Sequence, residues 1–204
     1  SKQIYDRLIE CMMKNGPNHH GLVKDNHMCF TGGEPMLKHN QEAIIDVMRQ
    51  FMAERNVPPS ITIETNGTQD LAFEEGFVTM IDDYVDSNNG ELFWSVSPKL
   101  RTVSGEKAEK AIKPDVVKNY YDLSKNGQLK FVVNGTKECW KEVEDVIRSF
   151  RAIGINFPIW IMPVSATKEG QEEVAGEIAT QALKRGYKVS ARVHCYLWGN
   201  VVGV

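Results

Sequence analysis

Residues 27–35 read HMCFTGGEP, and this stretch decides the fold class. The short apolar run at 27–31 predicts a β-strand that stops at two adjacent glycines, Gly32 and Gly33. Apolar residues then recur every three or four positions through 40–55, which predicts a helix that Pro58 and Pro59 end. A buried strand that turns directly into a helix is the repeating unit of parallel α/β folds.

The same unit repeats outward from this stretch along the whole chain. The pattern predicts five more strands and five more helices: strands at 61–65, 92–97, 128–133, 158–162 and 188–194, and helices at 3–14, 74–84, 106–126, 137–152 and 168–185. A full eight-fold barrel needs about 250 residues, and this chain has 204. We therefore predict an α/β fold, an open partial (β/α) barrel of mostly parallel strands, forming one domain over residues 1–204.

Composition narrows the class of protein. Hydrophobic residues make up 42% and charged residues 25% of the chain, with a net charge of −3. This balance gives no basic surface for nucleic acid, and no apolar run approaches the roughly 20 residues that span a membrane. The N-terminus has no signal-peptide profile, so we expect a cytoplasmic protein. The four cysteines lie too far apart in sequence for a metal motif, and we expect them to be reduced: Cys11, Cys29, Cys139 and Cys195.

The ends of the predicted strands are polar and rich in glycine, and ligands of parallel α/β folds bind at this edge. After the first strand, Gly32 and Gly33 let a ligand approach the main chain, Glu34 adds a negative charge, and Pro35 stiffens the exit. This combination suits a small zwitterion with a free amine. It does not suit a phosphate, which favours a lysine and a helix N-terminus. A tight turn with a solvated Glu34 is the alternative interpretation.

The run Thr31–Pro35, Thr-Gly-Gly-Glu-Pro, resembles the motif with which radical S-adenosylmethionine (SAM) enzymes hold the amino group of SAM. Three further segments are similar to one branch of that superfamily, the 7-carboxy-7-deazaguanine synthases. They are Ile-Glu-Thr-Asn-Gly-Thr at 63–68, Trp-Ser-Val-Ser-Pro-Lys at 94–99, and Arg-Val-His-Cys-Tyr-Leu at 192–197. The segments occur in the family's order from about residue 27 to the C-terminus.

The resemblance implies an activity. Enzymes of this branch convert 6-carboxytetrahydropterin to 7-carboxy-7-deazaguanine with loss of ammonia, on the route to queuosine. A [4Fe–4S] cluster cleaves SAM to a radical that abstracts a substrate hydrogen, and Mg²⁺ assists. The resemblance therefore implies SAM, the cluster and Mg²⁺ as cofactors, a pterin substrate, and an electron donor such as flavodoxin or ferredoxin. It is compatible with a homodimer and implies neither a nucleic acid nor a membrane as a partner.

The resemblance also implies roles for individual residues. Gly32, Gly33 and Glu34 would hold the methionine amine, and Thr31 and His194 would contact the pterin. The other implied cofactor contacts are Glu64, Asn66, Ser97, Pro98, Lys99, Met162, Pro163, Val164 and Ser165. The family often has Gln where Met162 stands. The alternatives are a plain turn at Asn66, a solvated loop lysine at Lys99, and a structural histidine within a strand at His194.

The chain departs from the family pattern at the cluster. The family has three closely spaced cysteines after its first strand, followed by a Mg²⁺ ligand, and this sequence has neither. Residues 1–15 resemble the helix after that loop. We therefore expect that the chain lacks the first strand and the cluster loop, and that it is inactive by itself. Two alternatives stay open: another radical SAM enzyme, such as a glycyl-radical activase, and a non-catalytic SAM- or pterin-binding protein.

Overall fold

A computed structural model describes residues 2–14, 26–72, 74–87 and 89–199. Strands and helices alternate throughout these ranges. The strands are β1 (Met28–Phe30), β2 (Ser60–Thr65), β3 (Glu91–Val96), β4 (Gly127–Val133), β5 (Ile159–Pro163) and β6 (Lys188–Val189). The helices are α1 (Lys2–Lys14), α2 (Lys38–Ala53), α3 (Glu74–Asp82, continued by a π-helical turn at Asp83–Ser87), α4 (Arg101–Ser104), α5 (Ala108–Ala111), α6 (Pro114–Leu123), α7 (Lys137–Ala152), α8 (Lys168–Lys184) and α9 (Val193–Trp198).

The six strands form one sheet in the order β1-β2-β3-β4-β5-β6. The pairing is parallel: Met28 lies opposite Ile61, Leu129 opposite Ile159, and Trp160 opposite Lys188. Each strand lies beside its successor, as in a (β/α) barrel, whereas a doubly wound sheet reverses its strand order. Among the described residues β1 and β6 are the two edges, so the sheet they form is open. The predicted α/β fold with an open, parallel, barrel-like sheet is confirmed.

The chain divides into two compact units, and the first contains residues 1–65 and 69–95. Its core consists of fully buried side chains: Met48, Phe51, Ile61, Ile63, Phe77 and Trp94. The rings of Phe77 and Trp94 stack with centroids 6.3 Å apart. Tyr84 is also buried, its hydroxyl donates to the Pro58 carbonyl at 2.9 Å, and burial raises the pKa of Tyr84 to about 12.

The second unit contains residues 66–68 and 96–204. Its core is formed by β4, β5 and the inner face of α7: Phe131, Val133, Val143, Phe150, Phe157 and Ile161 are fully buried. The Thr136 hydroxyl caps α7 by accepting from the Cys139 amide at 3.2 Å. The prediction of a single domain stays a prediction. No helix in the described ranges is long and apolar enough to cross a membrane.

Two predicted elements differ from the structure. The predicted strand at 188–194 is wrong beyond Val189, because β6 has two residues and Val193–Trp198 forms α9. The helical material predicted over about 106–126 is divided into two helices, α5 and α6, with Pro114 at the start of the second. Proline lacks an amide donor and favours the first turn of a helix, so it ends one helix and begins another. The turn predicted at residues 15–17 lies outside the described ranges.

Candidate functional site

The loop between β1 and α2, residues 31–37, contains two consecutive glycines in left-handed backbone conformation. Gly32 has φ 87° and Gly33 has φ 58°. A Cβ atom added at either glycine would meet no atom of the described residues within 4 Å. The need for glycine here is therefore conformational, because other residues rarely adopt positive φ. Within the described part of the chain, the main chain of this loop is open on the side where the Cβ atoms would stand.

Two threonine–glutamate hydrogen bonds cross between the ends of β1 and β2 in the first unit. The Thr31 hydroxyl donates to Glu64 Oε2 at 3.0 Å, and the Thr65 hydroxyl donates to Glu34 Oε1 at 2.6 Å. Each strand end thus supplies one hydroxyl and one carboxylate. These bonds place two carboxylates at the carboxyl edge of neighbouring strands, and this arrangement attracts a cation.

Glu34 is held by its own loop as well as by Thr65. The Met36 amide donates to Glu34 Oε1 at 3.0 Å, and the Asn40 side-chain amide donates to the Glu34 carbonyl at 2.9 Å. The Leu37 amide also donates to that carbonyl at 3.3 Å. The carboxylate is therefore fixed in direction before any ligand binds, which reduces the entropy lost when a ligand is bound.

A cavity of about 220 Å³ lies beside this loop, entirely within the first unit. Its walls come from α1, β1, the loop and α2: Ile4, Phe30, Thr31, Gly32, Pro35, Asn40, Ala43, Ile44 and Val47. Pockets that bury drug-sized ligands have volumes of about 300–1,000 Å³. This cavity is smaller and mostly apolar, so it can hold only a fragment of such a ligand.

In the second unit, the segment after β3 carries three of the implied contacts. Ser97 and Lys99 are half-buried and Pro98 is buried. The Glu142 carboxylate of α7 accepts hydrogen bonds from the amides of Arg101 and Thr102 at 2.7 and 2.9 Å, capping the one-turn helix α4 that follows. This contact ties the Ser97–Lys99 segment to α7.

The segment Met162–Ser165 lies at the end of β5. The Val164 amide donates to the Val133 carbonyl at 2.8 Å, which continues the β4–β5 pairing past the strand. The Ser165 hydroxyl accepts from the Thr167 amide at 3.1 Å and so closes the turn into α8. Arg192 Nε donates to the Met162 sulfur at 3.4 Å, so the Met162 side chain contacts the residue just before α9.

Asn66 and His194 occupy two different settings in the second unit. Asn66 Oδ1 accepts from both the amide and the hydroxyl of Thr68, at 2.9 and 2.7 Å, and so forms a local turn. His194 lies exposed on α9, one residue before the buried Cys195. The expected strand position of His194 is therefore wrong, and the side chain stands on a helix surface.

Four polar residues that shape these segments were not predicted from the sequence: Gln41, Thr65, Glu142 and Gln171. Gln41 and Gln171 are fully buried. The signal for Gln41 was an amide at the end of the apolar stripe of α2, three and four positions before Ile44 and Ile45. A polar side chain on the buried face of a helix needs hydrogen-bond partners, so its place in the sequence indicates a buried polar contact.

In the described part of the chain, the residues do not fit an iron–sulfur cluster or a metal ion held by three side chains. The four cysteines are far apart in sequence, and in the described part of the chain two are buried and two exposed. The described ranges contain no group of three His, Cys, Asp or Glu side chains that could hold a metal ion.

Comparison with known proteins finds several relatives that carry the same name, 7-carboxy-7-deazaguanine synthase. The chain is 29% identical over 180 residues to the 7-carboxy-7-deazaguanine synthase of Pyrobaculum aerophilum, covering 87% of this chain and 67% of that protein. It is 24% identical over 210 residues to that of Rhodopirellula baltica, with coverage of 98% and 69%. It is also 24% identical over 181 residues to that of Halobacterium salinarum, with coverage of 86% and 66%. No family model matches the chain.

The open parallel sheet defines an α/β protein of the partial-barrel class. Within that class the chain is a homologue of the 7-carboxy-7-deazaguanine synthases. This family implies radical SAM chemistry. The chain spans about two thirds of the length of each of these relatives.

Proposed function

We propose that the whole protein containing this chain is a 7-carboxy-7-deazaguanine synthase. It would convert 6-carboxy-5,6,7,8-tetrahydropterin to 7-carboxy-7-deazaguanine with release of ammonia, in the biosynthesis of 7-deazaguanines such as queuosine. The observation that carries the proposal is similarity to three such synthases over 86–98% of the chain. The proposal includes a cytoplasmic location and an electron donor such as flavodoxin or ferredoxin.

The β1–α2 loop supports a role in binding the amino group of SAM. An ammonium group donates up to three hydrogen bonds and carries a positive charge. Gly32 and Gly33 leave the main chain open, and Glu34 supplies a carboxylate that is already oriented by Thr65 and Met36. Hydrogen bonds between charged groups are roughly twice as strong as neutral ones, so this loop can select a ligand with a free amine.

Roles in the second unit rest on the resemblance. Ser97, Pro98 and Lys99 would contact the SAM ribose and carboxylate, with the Lys99 ammonium neutralising the latter. Met162, Pro163, Val164 and Ser165 would contact the adenine, and the Ser165 hydroxyl already serves the turn into α8. Its main-chain groups are therefore the better candidates for that contact. Asn66, and Glu64 of the first unit, are further candidates for SAM.

Thr31 and His194 would contact the pterin. The Thr31 hydroxyl donates to Glu64, and its oxygen retains the capacity to accept a hydrogen bond from the substrate. His194 is exposed on α9, where its ring can donate to a carboxylate or to a ring carbonyl. When bound, SAM would supply the group that abstracts a substrate hydrogen. The side chains named here would bind and orient the two ligands.

The test is product formation by the whole protein, loaded anaerobically with iron and sulfide and given reductant, SAM and 6-carboxytetrahydropterin. We expect 7-carboxy-7-deazaguanine and ammonia in equal amounts, measured by mass spectrometry and an ammonia assay. Cleavage of SAM without turnover of the pterin would instead identify another radical SAM enzyme, such as a glycyl-radical activase. Binding of SAM or the pterin by a protein that takes up no cluster would identify a non-catalytic binding protein.

A further inference from the structure

We propose that Gln41 is a positioning residue for the amine-binding loop, an inference that rests on the proposed binding of SAM. Gln41 is the fourth residue of α2 and is fully buried. Its Nε2 donates to the carbonyls of Met36 and Asp70 at 2.6 and 2.7 Å. Its Oε1 accepts from the Ala72 amide at 2.9 Å. One side chain therefore joins two loops of the first unit.

Met36 connects Gln41 to the carboxylate of Glu34. The Met36 carbonyl accepts from Gln41, and the Met36 amide donates to Glu34 Oε1 at 3.0 Å. Met36 is fully buried, so it has little freedom to move between these two bonds. The position of Gln41 thus sets the position of Met36, and Met36 in turn sets the direction of the Glu34 carboxylate.

Gln41 is also hydrogen-bonded to a second loop, the one that follows β2. Asp70 and Ala72 lie five and seven residues after the end of β2. Gln41 donates to the main-chain carbonyl of Asp70 and accepts from the main-chain amide of Ala72. Because Gln41 satisfies groups on both sides, neither loop can shift alone without leaving a buried polar group unpaired. Gln41 touches no ligand in this scheme and acts through Met36.

Gln171 is a matched control in the second unit. It is also the fourth residue of its helix and fully buried, and its Nε2 donates to the carbonyls of Pro163 and Ser165 at 3.1 and 2.9 Å. It therefore matches Gln41 in residue type, helix position, burial and the two bonds donated by Nε2, but it holds the loop that follows β5 and has no partner for its Oε1 among the described residues. A purely structural effect of removing a buried glutamine should be common to both positions.

The experiment compares Gln41→Met and Gln171→Met in the whole, cluster-loaded protein. Methionine is similar in size and makes none of the three hydrogen bonds. Equilibrium dialysis would measure binding of SAM and of 5′-methylthioadenosine, which keeps the nucleoside and a neutral sulfur but lacks the amino-acid part of SAM, with its ammonium and its carboxylate. Melting temperature is measured beside each affinity. The ratio of the two affinities reports on the amino-acid end of the ligand and is independent of overall stability.

We expect Gln41→Met to weaken SAM binding by about ten-fold, since a misdirected carboxylate loses a charge-assisted hydrogen bond. Binding of 5′-methylthioadenosine should change by less than about two-fold, well below the value of one hydrogen bond. Gln171→Met should lower the melting temperature without changing the ratio of the two affinities. Equal loss of both ligands in Gln41→Met, or no loss of either, would overturn the positioning role.

A second variant covers the case in which Gln41→Met does not fold. Gln41→Glu keeps the size and the acceptor for the Ala72 amide but removes both donors, and it should shift the affinity ratio in the same direction. An unchanged ratio in Gln41→Glu would overturn the inference. Failure of the wild-type protein to bind SAM would overturn the proposed function and this inference together, whereas wild-type binding with an unchanged ratio in the variants would overturn the inference alone.

Discussion

The loops after β1 and β5 share one feature, a buried glutamine in the first turn of the helix that follows. They differ in the groups to which that glutamine is hydrogen-bonded. Each ends at a buried glutamine on the fourth residue of the following helix, Gln41 in α2 and Gln171 in α8. Gln41 uses its donors and its acceptor and binds a second loop. Gln171 binds only its own loop, and its Oε1 is buried without a partner among the described residues.

The difference separates two ways of fixing a strand-end loop. The β1–α2 loop has two glycines in left-handed conformation and takes its position from a neighbour, through Gln41 and the Thr65–Glu34 bond. The β5–α8 loop continues the pairing with β4 through its Val164 amide, and its turn into the helix is closed locally by Ser165 and Thr167. A loop held by its neighbour can be oriented toward a ligand with precision, whereas a locally closed turn tolerates changes elsewhere in the chain.

The largest effect should come from Glu34→Gln, which tests whether the β1–α2 loop binds an ammonium group. We expect SAM binding to weaken by about 1.5–3 kcal/mol, the usual value of a hydrogen bond to a charged group. Pterin binding should change far less. The measurement is equilibrium dialysis of both ligands with the cluster-loaded protein, and Ser165→Ala serves as the counterpart in the other loop. Equal losses for SAM and pterin would show that Glu34 has a structural role.

Gly170→Ala tests how tightly the β5–α8 loop is closed. A Cβ at Gly170 would collide with Ser165 Oγ and lie 3.1 Å from Ser165 Cβ. Overpacking of this kind should lower the free energy of unfolding by about 1–3 kcal/mol in urea denaturation. Gly176→Ala, in the same helix with no atom within 4 Å, should raise it by about 0.5–1 kcal/mol. Equal effects at both positions would contradict local closure.

His194→Ala tests whether a residue outside both loops contributes to recognition of the pterin. We expect turnover of 6-carboxytetrahydropterin at saturating SAM to fall about ten-fold or more, which corresponds to about 1.4 kcal/mol. SAM binding and cluster content should stay near those of the wild type, because His194 lies on α9. Normal turnover would remove His194 from the substrate site, and a large drop in melting temperature would favour a structural role.

The smallest effect compares the two helix starts. Thr167 caps α8 by accepting from the Gly170 amide at 3.2 Å, whereas Leu37 begins α2 without a side-chain cap. Thr167→Ala should therefore cost about 1 kcal/mol in the free energy of unfolding. Leu37→Ala removes no cap bond, and Leu37 is 36% exposed, so its effect should be smaller. Equal losses of unfolding free energy for both substitutions would contradict a stabilising cap at Thr167.

Much of the fold followed from sequence pattern because each element carries its own signal. The helix predicted over 137–152 matches α7 at both ends, since Thr136 supplies a cap and the apolar stripe is regular. The strand predicted at 188–194 failed for a physical reason. Among the described residues β6 is an edge strand that pairs with β5 alone, and its bonding to β5 ends at the Ser190 amide, so the apolar residues beyond it have no strand to pair with.

Only those parts of the candidate site that are formed by residues adjacent in sequence could be predicted from the sequence. The glycines at 32 and 33 follow directly from the motif, and their positive φ values agree with the expected turn. The crossed bonds Thr31–Glu64 and Thr65–Glu34 join residues 33 and 31 positions apart. Gln41 similarly reaches Asp70, 29 positions away. The periodicity of a sequence does not indicate which distant residues are in contact. These hydrogen bonds could therefore not be predicted from the sequence and are seen only in the structure.

Tyr84 has a consequence for behaviour in alkaline solution. Its pKa in the folded protein is about 12, compared with about 10 in an unfolded chain. The folded state therefore keeps a proton that the unfolded state releases between these values, so the stability from this group is complete below pH 10 and lost as pH rises toward 12. At pH 11 the loss should be about 1.4 kcal/mol. Urea denaturation from pH 9 to 11 should show this decline, and Tyr84→Phe should flatten it.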